Sequence, residues 1–237
     1  MRNEELAVII LAAGSSSRMG GIKKEYQILN SGDTVLGSSV RAFLDISSIK
    51  TIVIAIPENG EAVARKTLPT EILSLQSPKI YFVKGGNTRS DSVFNALNFL
   101  ADHDQQYVLI HDGARPWVSP LLIEKTIEAV KKHDAVIPLL TLTETPKEVG
   151  SRKEEVGSGE EEQIAFIKKH LKRVDVGIAQ TPQAFKFPEI LEAYKKALLL
   201  NEEFTDDAEI WDRFVGTVAV IPGEVANRKI TFKEDLN

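Results

Sequence analysis

The sequence predicts an α/β fold, a mostly parallel sheet with helices on both faces. Short runs rich in Val and Ile recur at residues 6–11, 51–56, 80–83, 107–110 and 135–139. Most are separated by segments long enough for a helix, so strand and helix alternate. The runs are apolar at successive positions rather than at every second one, as expected when helices bury both faces of each strand. A chain of 237 residues with 43% hydrophobic content holds enough apolar surface for one large domain.

The first run, residues 6–11, leads into Ala12-Ala13-Gly14-Ser15-Ser16-Ser17-Arg18-Met19-Gly20-Gly21 and then Lys23-Lys24. A buried strand that runs into small residues delivers bare amide N–H groups to one spot, and the trailing cations add full positive charge. That combination suits a polyphosphate. Neither the Gly-x-x-x-x-Gly-Lys-Ser/Thr loop nor the Gly-x-Gly-x-x-Gly fingerprint is present, which argues against a P-loop protein and an ordinary NAD-dependent dehydrogenase.

The third run is followed by Gly85-Gly86-Asn87-Thr88-Arg89-Ser90-Asp91-Ser92. Thr88 with Asp91 three residues on predicts a capped helix start, with Val93, Leu97 and Leu100 on one face. The fourth run ends in His111-Asp112-Gly113-Ala114-Arg115-Pro116. Asp112 leaves a buried strand toward the phosphate loop, where it would offer a hard oxygen to a magnesium ion bound to phosphate. His111 has no second histidine beside it and is read as structural. Ser119-Pro120 starts another helix, with Ile123, Ile127 and Val130 as its buried stripe.

From about 141 to 175 the alternation breaks into a charged, Gly-containing excursion. Residues 160–174 carry acids first and bases last, with Ile164, Ile167 and Leu171 at helical spacing, which predicts a short amphipathic helix. Regular structure resumes at Gly177, with a helix over 188–200 and a strand over 217–221.

The net charge of −5 disfavours a nucleic-acid partner. Absence of cysteine excludes disulfides and thiolate metal sites. The acidic start and the lack of a long apolar run predict a cytoplasmic protein without a membrane partner.

Five separated motifs now fall in order: Leu11-Ala12-Ala13-Gly14 with Arg18-Met19-Gly20, Gly85 to Val93, His111 to Pro116, Thr181-Pro182-Gln183, and Asn227-Arg228-Lys229-Ile230-Thr231. Together they resemble the 2-C-methyl-D-erythritol 4-phosphate cytidylyltransferase family of non-mevalonate isoprenoid synthesis, over nearly the whole chain. The resemblance implies a Rossmann-like nucleotidyltransferase sheet in a single domain, 1–237. It also implies a homodimer whose protruding arm, about 141–175, reaches the partner's site.

On the same resemblance, Ala12, Ala13, Gly14, Arg18 and Lys24 would hold the phosphates of CTP. Gly86, Asn87 and Ser92 would read cytosine, and Asp112 would bind Mg2+. Arg18, Lys24 and Lys229 would stabilise the transition state, while Arg115, Thr145 and Arg173 would bind the polyol phosphate. The chain has Lys23-Lys24-Glu25-Tyr26 where the family usually has Pro-Lys-Gln before an aromatic residue, so either lysine could be the reacting one. Ribitol 5-phosphate cytidylyltransferase and a non-catalytic CTP-binding protein are the alternative functions.

Overall fold

The computed structural model describes residues 5–16, 19–156, 160–200 and 202–236. The five expected strands form as β1 (Leu6–Leu11), β2 (Ile49–Ile56), β3 (Lys79–Lys84), β4 (Tyr107–Asp112) and β5 (Ala135–Thr141). Further strands are β6 (Lys147–Val156), β7 (Glu160–His170), β8 (Gly177–Ala179), β9 (Gln183–Lys186) and β10 (Ala219–Pro222). The helices are α1 (Val35–Arg41), α2 (Glu61–Lys66), α3 (Thr70–Leu73), α4 (Arg89–Leu100), α5 (Pro120–His133), α6 (Phe187–Ala197) and α7 (Asp207–Phe214).

The main sheet runs β10-β5-β9-β4-β1-β2-β3, with β8 pairing β5 off that path. β1 pairs in parallel with both β2 and β4. The chain therefore winds outward from β1 in one direction and from β4 in the other, and the crevice between their carboxyl ends is where such sheets collect ligands. β9 is antiparallel to both β4 and β5, a reversal that the apolar runs did not announce because β9 has only four residues.

Alternate residues of β1 feed two cores. Leu6, Val8 and Ile10 pack with Phe43, Ile54 and Ile123 on one face, and Ala7 and Ile9 with Val93, Leu97 and Tyr194 on the other. Burying an Ile or Leu side chain contributes roughly 1.5–3 kcal/mol, so β1 is pinned from both sides.

Thr88 caps α4 by accepting from the Asp91 N–H, and the Asp91 carboxylate accepts from the Thr88 N–H. Val93, Ala96, Leu97 and Leu100 form its buried face. Ser119 caps α5 with Pro120 in the first turn, and Asp134 ends it in the left-handed conformation at φ 61°.

Residues 160–174 do not form the expected helix. Glu160–His170 is the strand β7, antiparallel to β6, and a short 3-10 turn follows at Arg173–Asp175. A β pattern competes with the helical spacing: Ile164 and Phe166 share one strand face, and Gly150 lies opposite Phe166. A Cβ at Gly150 would stand 2.9 Å from the Phe166 ring, so the glycine makes room for it. Long-range pairing with residues 147–156 outweighs local periodicity.

Candidate active site

A cleft of about 590 Å³ opens above the carboxyl ends of β1 and β4. Ala13, Gly14, Ser15 and Ser16 line one side, Gly86 to Arg89 and Ser92 another, and Lys24, Glu25, Asp112, Lys229 and Thr231 complete it.

The second glycine loop is built by close approach. A Cβ on Gly86 would lie 2.1 Å from that of Asp91, and one on Gly85 would lie 2.3 Å from the Cβ of Ala13. Ser92, one turn into α4, accepts from the Gly86 N–H at 3.0 Å and donates to the Thr88 carbonyl at 2.9 Å. Ser92 thus fixes the loop that presents Asn87 while lining the cleft itself.

Asp112 sits at the centre of the positive charge. Its Oδ2 lies 2.9 Å from Lys229 Nζ and 3.3 Å from Arg115 Nε, and its Oδ1 lies 3.8 Å from Arg89 Nε. Burial alone would push this carboxyl up, but Lys229, Arg89 and Arg115 outweigh it and hold it well below the usual carboxylate range. An ionised, pocket-facing carboxylate fits magnesium, which is commonly held by one or two carboxylates together with substrate phosphates. Among the described residues there is no cluster of three metal-ligating side chains.

His111 is fully buried and braces the turn after β4. Its Nε2 lies 3.1 Å from the Arg115 carbonyl, which only accepts, so that nitrogen is assigned the hydrogen. Its Nδ1 then accepts from Thr181 Oγ1 at 3.0 Å, and Thr181 in turn accepts from the Asp112 N–H at 3.1 Å. Burial pushes the imidazole down to about 4, so it is neutral near pH 7. The structural reading of His111 stands.

Lys24 reaches the cleft and donates to the Ile230 carbonyl at 2.9 Å. Lys23 instead donates to the carbonyls of Ala12, at 3.2 Å, and Gly14, and does not line the cleft. Of the two lysines left open by the sequence, Lys24 is the one in the cleft.

Arg18 lies outside the described residues. Ala12 is buried beneath the cleft, donating to the Ala55 carbonyl. Arg115 is also buried, and it donates to the Asn227 carbonyl at 2.7 Å in addition to pairing with Asp112. Lys229 reaches the cleft from the irregular segment that follows β10. Thr145 and Arg173 are exposed at the root of the β6-β7 hairpin, away from this chain's cleft, and Arg173 donates to the Thr143 carbonyl at 2.7 Å.

Sequence reading missed Arg89 and Glu25. Arg89 gives two parallel hydrogen bonds to the fully buried Asp207, at 2.9 and 2.6 Å, and Tyr194 also donates to Asp207. The usable signal was the Asp206-Asp207 pair at a helix start, whose partner lies 118 positions away. Glu25 is an acid buried to 3% exposure, which nothing in its neighbours forecasts.

A mostly parallel sheet whose strand order reverses beneath two glycine-containing loops fits the nucleotidyltransferase class of α/β proteins. Residues 6–237 match the family model for 2-C-methyl-D-erythritol 4-phosphate cytidylyltransferase, IspD, and the chain belongs to that family. The enzyme of that name from Clostridium botulinum is 33% identical over 98% of this chain and 96% of its own length. The structure of 4-diphosphocytidyl-2C-methyl-D-erythritol synthase from Anaerococcus prevotii has 30% identity and a TM-score of 0.80, covering 99% of this chain and 93% of that one. The Francisella tularensis 2-C-methyl-D-erythritol 4-phosphate cytidylyltransferase gives 31% and 0.74, with coverage of 98% and 96%. The bifunctional enzyme IspD/IspF of Bartonella henselae is 33% identical over 98% of this chain, which spans only 55% of that relative. The chain thus spans about half the length of the bifunctional relatives it matches.

Proposed function

We propose that the protein transfers a cytidylyl group from CTP to 2-C-methyl-D-erythritol 4-phosphate, releasing pyrophosphate. The observation that carries the reading is the convergence of Lys24, Lys229 and the ionised Asp112 on one cleft beside the glycine-lined loops. A phosphate monoester has a second pKa of about 6, so the attacking acceptor is already a dianion near neutrality and needs no general base. That agrees with a cleft whose nearest histidine is neutral and fully engaged.

The chemical difficulty is the approach of two anions and the charge that builds on the leaving pyrophosphate. Preorganised cations answer it. Lys24 and Arg18 are assigned to the phosphates of CTP. A triphosphate offers Lys229 a more highly charged partner than Asp112, and its transfer leaves the Asp112 carboxylate able to hold magnesium. When bound, magnesium supplies charge neutralisation at the phosphate oxygens. Gly86, Asn87 and Ser92 are assigned to the base, with Asn87 carrying the choice of cytosine. Arg115, expected at the polyol phosphate, is instead buried against Asp112 and the Asn227 carbonyl, and is assigned to orienting that carboxylate.

Thr145 and Arg173 are assigned to the acceptor phosphate of the partner subunit's site, with the β6-β7 hairpin as a dimerisation arm. Support comes from the hairpin's exposed apolar side chains, Val149 at 64%, Phe166 at 40% and Ile167 at 53%. A two-stranded hairpin is marginal by itself, and a second copy would cover this surface. The setting assigned to the protein is the cytoplasm, and no helix among the described residues is long and apolar enough to cross a membrane.

The test is pyrophosphate release from CTP and magnesium with methylerythritol phosphate, with ribitol 5-phosphate, and with no acceptor. Turnover should require the first. Equal or faster turnover with ribitol 5-phosphate would reassign the acceptor, and no release with either would leave a CTP-binding protein.

A further inference from the structure

Lys23 and Lys24 are adjacent in sequence, yet only Lys24 lines the cleft. The Lys23 ammonium lies behind the phosphate loop, donating to the carbonyl oxygens of Ala12 and Gly14. A trans peptide group is planar, so the N–H that follows each carbonyl points the opposite way. Carbonyls of Ala12 and Gly14 drawn toward Lys23 therefore turn the N–H groups of Ala13 and Ser15 away from it. Ala13 and Ser15 both line the cleft. Among the described residues, neither N–H has an acceptor.

The far end of the same loop is held from the same short turn, Lys24–Tyr26. Ser16, in the left-handed conformation at φ 53°, accepts from the Lys24 N–H at 3.3 Å and donates to Glu25 Oε2 at 3.4 Å. One turn thus grips the loop at two points while its own Lys24 enters the cleft.

We propose that Lys23 is a positioning residue for the nucleotide: by holding the Ala12 and Gly14 carbonyls from behind, it aims the Ala13 and Ser15 amides at the phosphates. The proposal rests on the reading of this cleft as a CTP site. Lys23 itself does not touch the substrate. Its loss leaves two carbonyls free to rotate, which misdirects two amide donors to an anion and leaves the base-reading loop at Gly86 to Ser92 untouched.

Calorimetric binding of CTP and of cytidine to the wild type and Lys23→Met, with magnesium present, tests this. Lys23→Met is expected to weaken CTP about tenfold, a partial loss from two misdirected but not abolished charge-assisted hydrogen bonds, with cytidine affinity unchanged. The loss should persist at about 0.5 M salt, where the Debye length is only about 4 Å. CTP affinity equal to wild type would overturn the proposal. Equal loss of cytidine would also overturn it, by showing general collapse of the site, as would a loss that vanishes in salt, which would make Lys23 a distant charge only. A wild type that binds no CTP would instead overturn the functional reading on which the proposal depends.

Discussion

Glu25 is a carboxylate 3% exposed, under a loop assigned to phosphates. Burial raises its pKa, and Lys23, Lys24 and the Ser16 hydroxyl only partly offset that. An acid whose pKa is higher folded than unfolded contributes stability below its unfolded pKa and loses it as pH rises through the folded value. Glu25→Gln removes this titration and keeps an oxygen for Ser16, so its melting temperature should gain on the wild type as pH rises from 4 to 8. Each kcal/mol corresponds to roughly 2–4 °C in a chain of this size. A difference that shrinks with pH would contradict the assignment. Lys24 carries a different expectation: Lys24→Ala should lower turnover roughly a hundredfold or more, since that is the usual cost of one preorganised donor. Turnover within a few-fold of wild type would remove Lys24 from the reaction. Such roles divide by legibility. Lys24 follows β1 and Asp112 ends β4, so both could be read locally, whereas Glu25's burial depends on a loop that folds back to place Ser16 against it.

Among the elements, α7 shows how a peripheral helix reaches the site. Asp206 caps it by accepting from the Glu209 N–H, and Asp207 in its first turn takes both Arg89 bonds. Arg89 begins α4, so one ion pair joins the starts of two helices and holds a cation 3.8 Å from Asp112. Replacing one member of a buried pair typically costs about 3–5 kcal/mol, because the other charge is left without compensation. Asp207→Asn should therefore destabilise the protein by about 3 kcal/mol in denaturant unfolding. A loss below about 1 kcal/mol, the range of an exposed pair, would mean that Arg89 finds another partner. The cap of α4 was readable from Thr88 and Asp91. This second tie was not, because the acidic start of α7 does not say which residue, 118 positions away, will meet it.

For the whole molecule, the arm role proposed for the β6-β7 hairpin decides whether the cleft acts alone. Thr145 and Arg173 lie outside it, and the hairpin exposes Phe166 and Ile167. Phe166→Asp with Ile167→Lys should shift the protein toward monomer in sedimentation, because unpaired charges would have to be buried on association. CTP affinity should stay within a few-fold of the wild type while turnover with methylerythritol phosphate falls. An unchanged dimer would place the interface elsewhere, and monomeric wild type would end the shared-site reading.

The sequence by itself determined the parallel core, the two glycine loops and the acid that ends β4, because buried strands and capped helices are written in short-range patterns of side-chain size and polarity. Tertiary structure alone decided that residues 160–170 pair as a strand, that Arg89 joins Asp207, and that Lys23 turns behind the loop while Lys24 enters the cleft. Those outcomes depend on partners distant in the chain or on the direction of one side chain, and local spacing carries neither.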